Sequence, residues 1–112
     1  MTITIVNIIP PKQAENSQTE QYTVAAGTET IIDKFTVTNT TGGSVNFSCN
    51  IVPVSVAVSD SNLIIDTRAI ASGETYRCPE LVGHGLVPGD FISTLASAAT
   101  ALTIRASGRE IT

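Results

Sequence analysis

The sequence contains no tryptophan, one histidine, one methionine and two cysteines, and only 14% of its residues are charged. Each scarcity excludes something. A metal centre needs three or four converging ligands, and the lone His84, between Gly83 and Gly85, cannot assemble one. Cys49 and Cys78 are far apart and form no CxxC pair. They read as two free, reduced thiols, with a bridge between neighbouring strands as the alternative. Without tryptophan, and with Tyr22 and Tyr76 the only tyrosines, there is little to build a sugar-stacking platform. The basic residues Lys12, Lys34, Arg68, Arg77, Arg105 and Arg109 are scattered and the net charge is −4, so the footprint of a nucleic-acid binder is missing. No apolar run approaches the ~20 residues of a membrane-spanning helix. The apolar start, Met1 to Ile9, lacks a basic leader and is cut by Pro10-Pro11, so it does not read as a signal peptide.

Catalytic patterns are equally sparse. Serines abound, but none sits in a Gly-x-Ser-x-Gly elbow. Gly83-His84-Gly85 lacks the Lys and Ser/Thr of a phosphate loop. The carboxylates Asp33, Asp60, Asp66, Glu74, Glu80 and Asp90 fall in or beside turns, where Asp usually bonds the local backbone. Asp60, Asn62 and Asp66 lack the EF-hand spacing for calcium. The chain therefore reads as a non-enzyme with no metal and no cofactor.

What is present is β-branched alternation. One domain of 112 residues is long enough to bury a core. Thr30 to Thr38 places Phe35 and Val37 on one face. Val45 to Val52 places Val45, Phe47, Cys49 and Ile51 on one face and Asn46, Ser48 and Asn50 on the other. Thr41-Gly42-Gly43-Ser44, Asp60-Ser61-Asn62, Ala71-Ser72-Gly73 and Pro88-Gly89-Asp90 punctuate the strands. Gln21 to Ala25, Val54 to Val58, Leu63 to Arg68, Glu74 to Cys78 and a final hairpin over Gly89 to Thr112 supply the rest. Pro79 to Val87 breaks the alternation and has room for a short helical turn. The expectation is an all-β antiparallel sandwich, immunoglobulin-like or jelly-roll-like, of about seven or eight strands. Its core is expected from Phe35, Val37, Val45, Phe47, Cys49, Ile51, Leu63, Ile65, Leu102 and Ile104.

Two surfaces are expected to meet partners. Residues 1–20 read as an extended arm and polar linker, and residues 21–112 as the sandwich. An apolar arm cut off by Pro10-Pro11 either folds back on its own sheet or pairs with another chain. The second option makes Ile3, Ile5, Val6, Ile8 and Ile9 interface residues. Phe91 and Leu95 join them, because the strand from Phe91 to Ala96 carries large apolar groups on both faces.

Five segments carry a resemblance: Lys34 to Gly42 (KFTVTNTTG), Ile51-Val52-Pro53, Ala71 to Tyr76 (ASGETY), Leu81 to Asp90 (LVGHGLVPGD), and Leu102 to Glu110 (LTIRASGRE). Together, over roughly residues 28–112, they resemble small β-sandwich structural proteins of tailed bacteriophages. The resemblance implies a virion component assembled in the bacterial cytoplasm. The expected form is a capsid decoration or cement protein, a dimer or trimer bound to the major capsid protein or other virion proteins. A tail or neck adaptor, or a host-binding module displayed on the virion, is the alternative. The resemblance supplies no catalytic residue and implies neither nucleic-acid nor membrane binding.

Overall fold

Period-two alternation of valine, isoleucine and threonine builds nine strands in the computed structural model, which describes residues 1–112. They are β1 (Ile3–Gln13), β2 (Thr19–Thr23), β3 (Glu29–Asn39), β4 (Val45–Val52), β5 (Leu63–Ile70), β6 (Thr75–Tyr76), β7 (Gly85–Leu86), β8 (Phe91–Ala96) and β9 (Leu102–Ile111). The only helical piece is a single 3-10 turn, Asp60–Asn62. The expected turn within Pro79 to Val87 is absent; that stretch forms hydrogen-bonded turns and then β7.

All pairings are antiparallel, in two sheets. The first runs β1-β9-β3-β6, with β7 on the same side of β3 as β6; the second runs β2-β8-β4-β5. β6 meets Val37 and Thr38 near the end of β3, and β7 meets Thr30 and Ile31 near its start. They are two pieces of one interrupted strand, which leaves eight strand positions. An immunoglobulin domain pairs its first two strands in one sheet. Here β1 and β2 lie in different sheets, and the interleaved order is that of the jelly roll, two Greek keys wrapped together.

The core between the sheets holds Phe35 and Phe47, their ring centroids 6.2 Å apart, with Ile9, Ile32, Ile70, Leu81, Leu86, Ile92, Leu102 and Ile104 around them. Eight of the ten residues expected in the core are buried there. The exceptions are Ile51 and Leu63, both only half-buried. Ile51 keeps its expected parity: the β4–β8 ladder is unbroken, Ile51 lies opposite the buried Ile92, and it packs against the margin of the core. Both register shifts in the β4–β5 pairing put their extra residue on β5, and the one at Ile64 turns Leu63 to the opposite face from Ile65. Asn50, on the outer face of β4, is covered by the β4–β5 connection, where its amide donates to Ser59 O and Asn62 Oδ1. Cys49 and Cys78 are both free and buried, and burial pushes the Cys78 thiol up to about 12.

The N-terminal segment corrects the expected division at residues 20/21. It is no separate arm: β1 runs through Pro10 and Pro11 and pairs with β9 from Ile3↔Ile111 to Gln13↔Thr103. Prolines are tolerated because β1 is an edge strand and because both lie inside the register shift between Ile9 and Lys12, where the ladder to β9 is interrupted. Ile8, Ile9 and Ala14 belong to the core. The polar stretch after it is no loose linker either. Lys12 Nζ donates to Glu15 and Gln21, and Gln21 Nε2 donates to Glu15 and Thr94 Oγ1, tying the β1–β2 corner to β8.

Gly108 marks where three strands crowd together. A Cβ built on it would lie 2.0 Å from the Ile31 carbonyl oxygen and 2.6 Å from Ile8 Cδ1. Register shifts in β1 (Val6/Ile9) and in β3 (Ile32/Lys34) both fall beside it. Glycine in a strand interior marks such close backbone approach.

Candidate functional site

The two ends of the sandwich differ in chemistry. At one end lie the β1–β2, β3–β4, β5–β6 and β8–β9 connections, built from polar and small residues. Asn39 organises them. Its buried amide donates to Gly43 O and Ile70 O, and its carbonyl oxygen accepts from Thr41 N and Thr41 Oγ1. Ser72 Oγ adds a bond to Thr41 O.

At the other end lie the β2–β3, β4–β5 and β7–β8 connections and both chain termini. Thr2 and Thr112 exchange both backbone hydrogen bonds there. Asp90 is the organiser: Oδ1 accepts from Val54 N and Oδ2 from Val87 N, while its backbone oxygen accepts from Val24 N. This is the turn role its Pro88-Gly89-Asp90 setting implies. The Val54 side chain lies over Gly89, leaving no space there for a Cβ.

Most of the exposed large hydrophobic side chains gather at this second end, namely Met1, Ile3, Ile5, Val54, Val56 and Val87, while Val58 borders the groove on the β8 face and Val82 lies in the β6–β7 connection beside Ile32. The loop valines keep between 36% and 52% of their surface in water. Sequence alternation over Val54 to Val58 suggested a strand. Pro53 removes a donor, Ser55 adopts a left-handed backbone with φ 64°, and Val56 N closes a turn onto Pro53 O. The segment is an exposed loop presenting valines, a surface that the strand reading concealed.

The residues expected at an interface therefore divide. Ile3 and Ile5 are 54% and 84% exposed on the outer face of β1. Val6 is half-buried against the core. Ile8 and Ile9 are withdrawn as interface residues, because they fill this chain's own core. Phe91 and Leu95 are half-buried on the outer face of β8, in the other sheet, and share no surface with Ile3 and Ile5. Leu95 floors two shallow grooves there, of about 260 and 380 Å³. The smaller is walled by amide and hydroxyl groups, Asn16, Asn46, Ser48 and Thr67 among them; the larger adds Val58, Leu63 and two carboxylates. Thr67 has a left-handed backbone, φ 49°, and its N–H bonds Ser48 Oγ.

No three His, Cys, Asp or Glu side chains converge. Asp60 and Asp66 border the larger groove, but Asn62 turns inward to bond Asn50, Ser59 N and Ala57 O. His84 is exposed, and its backbone oxygen accepts from Ile32 N. Tyr22 donates to Glu110, and burial with this carboxylate raises the phenol to about 12. Tyr76, under the Arg68 guanidinium 4.2 Å from its ring, rises to about 12 by burial and its bond to Glu80. These groups tie strands together rather than facing a cleft.

Comparison with protein-family models, with curated proteins and with solved structures finds no match to this chain.

Proposed function

We propose that the chain is a non-enzymatic structural part of a bacteriophage particle, a capsid decoration or cement protein seated by its apolar loop end. The observation that carries the reading is the gathering of most exposed large hydrophobic side chains at one end of the sandwich, opposite a polar end. Apolar surface concentrated in one place marks a site that a partner covers. The resemblance of residues 28–112 to phage structural sandwiches names the partner as the major capsid protein or a neighbouring virion protein. The mechanism is mechanical: burying about 1,600 Å² per contact across a seam between capsomers adds a barrier to shell rupture. Its place of action is the virion.

The test replaces Val54, Val56 and Val58 by serine together. These side chains are exposed, so the variant keeps its fold and melting temperature while its retention on purified particles drops at least tenfold. Retention equal to the parent chain's contradicts the seating surface. The smaller groove beside Leu95, walled by amide and hydroxyl groups, favours a second reading, a displayed module that holds a polyhydroxyl ligand of the host. Binding of the isolated chain to host cells would favour that reading. A tail or neck adaptor would show far fewer copies per particle than a cement protein.

A further inference from the structure

We propose that two copies of this chain join through their β1 edges, pairing antiparallel about a two-fold axis at Ile5, so that the first sheet continues from one protomer into the next.

The hydrogen-bond phase of β1 supplies the geometry. Thr2 and Thr112 exchange both backbone bonds, which makes them a hydrogen-bonded pair. Such pairs alternate along an antiparallel ladder. Thr4↔Glu110 and Val6↔Gly108 therefore bond to β9, while Ile3↔Ile111 and Ile5↔Arg109 are the non-bonded positions. The N–H and C=O groups of Ile3 and Ile5 consequently point away from β9, to the free side of the edge. Two such edges brought together antiparallel place Ile5 opposite Ile5 of the second copy, in bonding phase, with Ile3 opposite Asn7.

β1 is the one edge of the molecule left open. β6 and β7 are two residues each. β2 is five residues long, carries Glu20 and has a register shift. β5 carries Asp66 and Arg68, a left-handed Thr67 and two register shifts against β4. Short length, charge and bulges are the devices that keep sheet edges from pairing. In β1 they begin only after Val6, with the shift between Val6 and Ile9 and then Pro10-Pro11. Ile3 to Val6 has no charge, no proline and no bulge.

Charge identifies the occupant as a second copy. A two-fold axis sets each side chain near its own equivalent, so a charged edge would repel itself. Thr2 to Pro11 contains no ionisable side chain. Behind the axis, Arg109 and Asp33 neutralise each other through two bonds of 2.9 Å, and the remaining charge on this face of β9, Arg105, donates to Asn7 Oδ1 away from the axis. The outward row of each protomer is Ile3 and Ile5, with Ile111 beside Ile3 on β9. Pairing joins the two rows into one apolar strip. The inference rests on the edge alone and stands independently of the virion assignment.

Sedimentation velocity over a concentration series on the full chain, with Ile5→Pro and Ile5→Lys, tests it. Proline at Ile5 removes an N–H that the β9 ladder does not use, so the monomer fold is retained. Lysine puts two ammonium groups opposite each other at the axis. The expected result is a parent dimer, and at least tenfold weaker association in both variants with unchanged circular dichroism. A parent chain that stays monomeric, or a dimer that neither substitution weakens, overturns the proposal.

Discussion

At the residue scale, the positions that decide this fold include ones that carry no large side chain. Gly108 is buried where β3 and β1 both bulge, and the obstacle to a larger residue is partly the Ile31 carbonyl, which cannot rotate away. Gly108→Ala is expected to cost about 1–3 kcal/mol, the range for overpacking a filled interior. Chemical denaturation read by circular dichroism checks it, and a loss within ±0.5 kcal/mol would show that the three backbones are less tightly apposed. Asn39 was legible in the sequence only as part of an Asn-Thr turn. Of its four bonds, three close the local turn through Thr41 and Gly43, and the one that fastens a second loop depends on Ile70 arriving from elsewhere in the chain. Core residues such as Phe35 and Val37 were legible because alternation gives parity directly. Leu63 was not, because a bulge at Ile64 sets it on the opposite face from Ile65 and leaves no compositional trace.

At the scale of elements, β1 shows what alternation reveals and what proline conceals. Its apolar, strand-prone character was plain, and Pro10-Pro11 argued for an end to the strand. An edge strand has one side that needs no donors, and a register shift from Ile9 to Lys12 interrupts the other, so the prolines lie within the strand and it reaches Gln13. Which strand is an edge is a property of topology, and sequence spacing does not contain it. The consequence is that residues 1–9 are structural, since Ile8 and Ile9 lie at 3% and 1% exposure in the core. Removing them exposes the inner face of β9 and takes away two large aliphatic side chains, each contributing ~1.5–3 kcal/mol on burial. The truncated chain is expected to lose its cooperative thermal transition. Retention of the parent transition would return these residues to the status of a detachable arm. The β4–β5 connection fails in the opposite sense: three valines at alternate positions imitate a strand, and a proline with a left-handed serine leaves them in solvent.

At the scale of the whole molecule, the sandwich was legible from turn spacing, whereas the choice between immunoglobulin and jelly-roll connectivity was not. Both need short alternating strands; they differ in which strands are neighbours. The pH dependence of the whole fold follows from its perturbed groups. Bonds from Lys12 and then Gln21 hold Glu15 below its usual value of 4.5, the Arg109 guanidinium does so for Asp33, and the Tyr76 hydroxyl for Glu80. The unfolded chain takes up these protons first, so stability is lost as pH falls below about 4.5 and through the depressed values. Tyr22 and Tyr76 behave inversely. Their ordinary value of 10 is raised to about 12, so the unfolded chain releases those protons first. Stability contributed by the tyrosines declines as pH rises from 10 through 12. Calorimetry should give a plateau of melting temperature between roughly pH 5 and 9 that falls on both sides. A melting temperature that climbs on acidification from pH 5 to 3 would contradict the carboxylate assignments.

The extents of 46 × 27 × 20 Å make the molecule a short rod whose ends differ, one polar and one studded with valine and isoleucine. That polarity underlies the proposal that the chain is seated on a larger assembly. Quantitative mass spectrometry of virus particles purified from cells that carry the gene for this chain tests it most directly. The account predicts that the chain is present in fixed proportion to the major capsid protein and is released only under conditions that disrupt apolar contacts. Particles that are complete and stable yet lack the chain would contradict it.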